Sequence, residues 1–130
     1  NNNSITKSGI INKNSLRCKD EDLAEYFLKN LFLFTQNVEK VIIRPHPSEK
    51  NILRKYKPIF EMYKIPFIIG GELDLLDEIS QSDVVVGGDS MALVIAMICG
   101  KQTYSCCPPN AEYTLPFDEI KQIRQFKKVN

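Results

Sequence analysis

One histidine, His46, and four cysteines without a C-x-x-C pair leave a structural zinc site short of ligands. Cys18, Cys99, Cys106 and Cys107 offer no disulfide framework either, because adjacent Cys106 and Cys107 would close only a strained ring. A reducing, cytoplasmic setting is expected. Charge of one sign is equally lacking: Lys+Arg number 17 against 16 Asp+Glu, with no basic stripe interleaved with aromatics. That removes the electrostatic footprint on which nucleic-acid binding relies. The longest apolar run, Met91 to Cys99, falls well short of the ~20 residues a bilayer-spanning helix needs. Residues 1–20 are polar and do not read as a secretion signal. Neither G-x-G-x-x-G nor G-K-[ST] occurs, which disfavours a dinucleotide fingerprint and a P-loop, and no G-x-S-x-G elbow supports a hydrolase triad.

What remains is a chain of 130 residues, 43% apolar, enough for one core. It begins with Asn1 rather than Met, and residues 1–18 are Asn-, Ser- and Lys-rich, with room for one short strand at Gly9 to Asn12. This stretch reads as an irregular, linker-like segment, and the chain as an excised or processed piece of a longer protein. From Lys19 to about Gln36, acids in the first turn and Leu23, Tyr26, Phe27, Leu31 and Phe34 at helical spacing predict a helix. Leu28, Phe32 and Leu33 widen its apolar face, as burial on two sides, a dimer or a lost partner domain would require.

Four short runs then alternate with helical segments. Val41 to Arg44, Pro66 to Ile69, Asp83 to Val86 and Gln102 to Ser105 read as strands; Ser48 to Lys64, Glu72 to Gln81 and Ser90 to Gly100 read as helices. Strands without polar alternation, each followed by a helix, predict a parallel sheet covered on both faces. Right-handed crossovers make this an α/β, Rossmann-like, doubly wound sheet, which binds ligands at the carboxyl ends of its strands. Phe117, Ile120, Ile123 and Phe126, followed by basic residues, predict a C-terminal helix.

Two strand ends draw attention. The first runs into Arg44-Pro45-His46-Pro47-Ser48-Glu49, where two prolines stiffen the loop around the imidazole. Ser48 is placed to cap the next helix, with Glu49 in its first turn, and Arg44 offers a planar fork for phosphate or carboxylate. Elsewhere a lone His would merely satisfy a neighbouring backbone group and an Arg would form a surface pair. At the ligand end of a parallel strand a functional role is the better reading.

The third strand ends Gly87-Gly88-Asp89-Ser90 and enters an apolar helix at once. Two glycines let a ligand approach the backbone, Asp89 or Ser90 caps the helix, and the helix N–H groups face outward as an anion seat. Asp89 itself suits the cap or a sugar hydroxyl rather than a phosphate. Glu72, Asp74, Asp77 and Glu78 form an acidic cluster that reads as a solvated helix face.

RPHPSEK and, about forty residues on, SDVVVGGDSMALVIAMICGK together resemble the C-terminal, nucleotide-binding half of GT-B glycosyltransferases of bacterial surface polysaccharide synthesis. The likeness is to sialyltransferase-like enzymes with an HP motif and an SS/ST motif, and more distantly to the glycerophosphotransferases of teichoic acid synthesis; it covers roughly residues 38 to 120. The resemblance implies that His46 contacts the phosphate of a nucleotide-sugar donor, often CMP-linked, with Pro47 shaping the loop and Asp89-Ser90 standing for the serine motif. Asp89 departs from that motif, which has Ser or Thr there. It further implies a catalytic role for His46, no metal requirement, and an acceptor site and general base in a missing N-terminal domain.

The expected nucleotide- or phosphate-binding set is therefore Arg44, His46, Pro47, Ser48, Glu49, Gly87, Gly88, Asp89 and Ser90. The expected function is donor binding in a glycosyltransferase, at the inner face of the cytoplasmic membrane and without a membrane span. Two alternatives stand beside it: a non-catalytic interaction module, and a CDP-glycerol-type phosphotransferase.

Overall fold

The β-branched runs form strands, and two further strands, one central and one at an edge, complete the sheet at places where the sequence shows little sign of them. A computed structural model describes residues 4–8, 19–33 and 37–126. The strands are β1 (Ser4–Ser8), β2 (Lys40–Arg44), β3 (Phe67–Ile69), β4 (Val84–Gly87), β5 (Gln102–Ser105) and β6 (Ile120–Gln122). The helices are α1 (Asp20–Lys29), α2 (Ile52–Met62), α3 (Leu75–Ser80) and α4 (Met91–Ile98). All strand pairs are parallel, in the order β3-β2-β1-β4-β5-β6. That is the strand order of a Rossmann-like, doubly wound sheet, whose winding reverses between β1 and β4.

Both faces are covered, which is why β2 and β4 need apolar side chains pointing both ways. On one face Val41, Ile43, Val84 and Val86 pack with Leu23 and Phe27 of α1 and Tyr56 and Phe60 of α2. On the other, Val85 packs with Ile79 of α3 and Leu93 and Ala96 of α4.

The first strand corrects the reading of residues 1–18. Ser4–Ser8, expected within an irregular segment, is the central strand, paired with β2 on one side and β4 on the other. The strand expected at Gly9 to Asn12 lies outside the described residues. The C-terminal helix is also overturned: Ile120–Gln122 is a strand paired with β5, followed by a 3-10 turn at Ile123–Gln125. Ile120 and Ile123 are buried while Phe117 is exposed, so the three-residue spacing does not mark one helical face.

Two helices stop short of their expected lengths for local reasons. α1 ends at Asn30, whose buried side-chain amide donates to the Tyr26 carbonyl at 3.0 Å, and a 3-10 turn at Leu31–Leu33 follows. The remainder of the expected helix, 34–36, lies outside the described residues. α2 begins only after Asn51, whose φ of 56° is left-handed and breaks any helical run from Ser48. At its far end Ile65 N–H donates to the Phe60 carbonyl and Lys64 N–H to that of Glu61, with Lys64 in the left-handed region. α4 closes in the same way with Gly100 in that place.

A candidate anion site at the carboxyl edge of the sheet

The strand register aligns the ends of β2, β1, β4 and β5. Ser8 stands opposite Arg44 on one side and Gly87 on the other, and Gly87 stands opposite Ser105. The Arg44–Glu49 loop and the Gly87–Ser90 turn therefore leave one edge of the sheet at one level, two strand spacings apart, roughly 10 Å. They flank the carboxyl end of β1, where the winding reverses and a doubly wound sheet opens its crevice.

The first loop is a tight turn. Glu49 N–H donates to the His46 carbonyl at 2.9 Å, with Pro47 in the position that its fixed φ favours. Ser48 N–H donates to His46 Nδ1 at 3.1 Å, and Ser48 Oγ lies 2.7 Å from the same nitrogen. An Nδ1 that accepts a backbone N–H keeps the proton of the neutral ring on Nε2. His46, Pro47 and Ser48 are all exposed, so this corner offers an outward N–H donor.

Three members of the expected set have other duties. Ser48 does not cap α2; its hydroxyl and N–H attend the imidazole instead. Glu49 lies in the turn ahead of α2, with its side chain only 7% exposed. Its Oε1 accepts His46 N–H at 2.8 Å, while Oε2 accepts Lys55 Nζ at 2.7 Å and the Tyr56 hydroxyl at 3.0 Å. Lys55 Nζ also donates to Asp20 at 2.8 Å. Burial would raise the Glu49 carboxyl, but Lys55, the His46 N–H and the neighbouring hydrogen bonds hold it below its ordinary value. Asp20 moves the other way: burial and the Glu49 charge outweigh Lys55 and raise it. Burial works against the Lys55 charge too, yet the two carboxylates raise its pKa.

Arg44 is the third. Its Nη1 donates to the Leu73 carbonyl at 2.8 Å and to Glu78 Oε1 at 2.9 Å. The other Glu78 oxygen accepts Gly71 N–H at 3.0 Å. Gly71, at φ 101°, makes the bend that brings this N–H to the carboxylate. Arg44 thus ties the loop after β2 to the one after β3. Glu78 is consequently not part of a solvated face: it is buried, whereas Glu72, Asp74 and Asp77 on the same stretch are exposed.

The second loop is an N-cap. Ser90 Oγ accepts Ala92 N–H at 3.1 Å and the Ser90 carbonyl accepts Leu93 N–H at 3.1 Å. Of the expected amides, two are therefore taken by Ser90, and the Met91 N–H leads the outward set. An accepting cap hydroxyl still has its own proton to donate. Gly87 and Gly88 are buried backbone: Gly87 O accepts Cys106 N–H at 2.7 Å, and Gly88 O accepts the Ser105 hydroxyl at 3.2 Å. A Cβ on Gly88 would lie 3.1 Å from Leu23 Cδ1, so α1 seats directly on this turn. Asp89 does not cap the helix; both of its oxygens accept the Thr114 hydroxyl, at 2.9 and 3.1 Å.

Sequence reasoning missed Glu78, Lys55, Tyr56, Asp20 and Thr114, since each reaches the site from another element. Among the described residues, one cleft of about 250 Å³ lies between α1 and the Pro108–Asn110 turn and another of about 430 Å³ lies around β6. Neither is lined by His46 or Ser90. Among the described residues no group of three His, Cys, Asp or Glu side chains could hold a metal ion, and no helix is long and apolar enough to cross a membrane. Comparison with protein-family models, curated proteins and solved structures finds no match.

Proposed function

We propose that this edge binds the phosphate of a nucleotide-linked donor, and that the chain is the donor-binding half of a two-domain, GT-B-type glycosyltransferase making bacterial surface carbohydrate. The supporting observation is the register that sets the His46 turn and the α4 N-cap on either side of the end of β1. Charge grows on the phosphate of a nucleotide sugar as its glycosidic bond breaks. Donors already in place at that oxygen lower the barrier without reorganising. Here His46 Nε2–H comes from one side, and the Ser90 hydroxyl with Met91 N–H from the other. Arg44 contributes mainly through its ion pair with Glu78, which braces the loop, rather than as a free fork.

Asp89 accepts a hydroxyl in its present setting, from Thr114, and in this reading accepts one from the ribose or sugar of the donor in the same way. The donor is CMP-linked in the resemblance on which this reading draws. The acceptor site and the base that activates the acceptor belong to a second domain, so this chain binds donor and does not turn over alone. Work at the inner face of the cytoplasmic membrane follows from the same reading. The second reading, a non-catalytic interaction module, draws its support from the Asp89 carboxylate, which repels an anion at α4.

Titration calorimetry with CMP, CDP, UDP and GDP tests the reading. Selective binding of cytidine nucleotides is expected, weakened by about 1–3 kcal/mol in His46→Ala with the unfolding midpoint unchanged. Unchanged affinity in that variant removes His46 from the site. Absence of binding by every nucleotide, also in the presence of a second domain, favours the interaction module.

A further inference from the structure

Glu49 stands between an exposed donor and a buried ion cluster. Its Oε1 holds the His46 N–H at 2.8 Å, and its Oε2 is held by Lys55 at 2.7 Å and Tyr56 at 3.0 Å. Lys55 in turn is anchored by Asp20, the first residue of α1, at 2.8 Å. The Lys55, Glu49 and Asp20 side chains are 19%, 7% and 15% exposed, so the cluster is largely withdrawn from water while the imidazole it leads to is exposed. We propose that Lys55 and Tyr56 are positioning residues for His46: acting through Glu49, they fix the turn in which Nδ1 accepts from Ser48 and Nε2–H is presented to an anionic ligand.

The chain of contacts leaves the carboxylate little freedom. A glutamate held at one oxygen by an ammonium and a phenol has its other oxygen fixed in space, and the His46 N–H sits on that oxygen. Within that turn Ser48 N–H reaches Nδ1 at 3.1 Å. The turn is thus set before any ligand arrives, and the ordering of the imidazole is not charged to the binding step. Since Asp20 opens α1 and Lys55 belongs to α2, the cluster also docks both helices at the base of the loop. Its role in ligand binding rests on the proposed function, but its role in setting the turn does not.

Amide hydrogen exchange followed by NMR, with CMP titration alongside, tests the proposal on Lys55→Met, Lys55→Arg and Tyr56→Phe. In Lys55→Met the His46 and Ser48 amides should exchange at least about tenfold faster while those of β2 and β4 keep their protection. CMP affinity should fall about tenfold, the loss expected of one charge-assisted hydrogen bond set loose. Lys55→Arg, which keeps the charge and donors, should restore most of both. Wild-type exchange at the two amides in a folded Lys55→Met chain overturns the proposal, as does unchanged CMP affinity in a chain that binds CMP. Should Lys55→Met not fold, Tyr56→Phe decides: it removes one hydroxyl, and unaltered exchange at both amides has the same meaning. If the parent chain binds no CMP, the cytidine assignment of the functional reading fails, while the exchange data still decide whether Lys55 and Tyr56 set the turn.

Discussion

Replacing Arg44 by Met separates a structural from a ligand-binding guanidinium. The substitution keeps much of the aliphatic stem and removes both Nη1 contacts, to Glu78 and to the Leu73 carbonyl. It leaves a carboxylate only 5% exposed with Gly71 N–H as its remaining partner. Removing one member of a buried pair costs roughly 3–5 kcal/mol, because the other charge stays behind unpaired. Arg44 is itself 23% exposed, so water reaches the vacated space and the expected loss drops to about 3 kcal/mol, including about 1 for the bond to Leu73. In urea unfolding, with a slope of roughly 1.5 kcal/mol/M for a small chain, the midpoint should fall by about 2 M. The double variant Arg44→Met/Glu78→Gln should recover about 2 kcal/mol, since the amide oxygen still accepts Gly71 N–H and no charge is buried. A single-variant loss below about 1 kcal/mol, or a double variant no more stable than the single, would rule out a structural role for the guanidinium. A fall in nucleotide affinity with an unmoved midpoint would instead make Arg44 a ligand fork.

Two further predictions concern neighbouring groups. A Cβ on Gly70 would overlap the Glu78 carboxylate and lie 2.8 Å from Ile42 Cγ2, so Gly70→Ala should cost about 2 kcal/mol and lower the thermal midpoint; an unchanged midpoint would show that both neighbours yield freely. Glu49 and Asp20 should show opposite pH signatures. The lowered Glu49 pKa supplies stability above the usual carboxylate range, lost as pH falls through the lowered value. The raised Asp20 pKa penalises the charged form on folding, so that contribution to stability declines as pH rises through the raised value. Glu49→Gln should therefore destabilise near neutral pH with the difference closing in acid, while Asp20→Asn should be neutral or stabilising near neutral pH. Equal losses from both variants in urea unfolding across pH would contradict these signs.

The fold was legible where burial on both faces leaves a mark. Val41 to Arg44 and Asp83 to Val86 agree with the observed strands to within a residue at each end. An interior parallel strand has no polar side to alternate with, and its run stands out between helices. A cap at Asp89 or Ser90 was readable for a similarly local reason, and the folded chain uses Ser90, whose hydroxyl serves an amide two residues on. β1 escaped because SITKS carries one apolar residue; its place is set by backbone ladders to β2 and β4. Ile120 and Ile123 are apolar in either reading, and only pairing with β5 decides for strand over helix.

At the site the division is sharper. The sequence alone determined that two prolines flank His46, that two glycines precede a capped apolar helix, and that strand alternation sends both loops to a carboxyl edge. Those are properties of short segments and follow from φ restriction, missing Cβ atoms and side-chain periodicity. Tertiary packing between elements brings Arg44 to Glu78, the Glu49 side chain to Lys55 and Tyr56, and Asp89 to Thr114. Residues 34 and 35 positions apart meet in the Arg44–Glu78 and Asp20–Lys55 pairs. A carboxylate carries no local signal of whether a cation from another element or water will stand beside it; the packing of the helices on the sheet makes that choice.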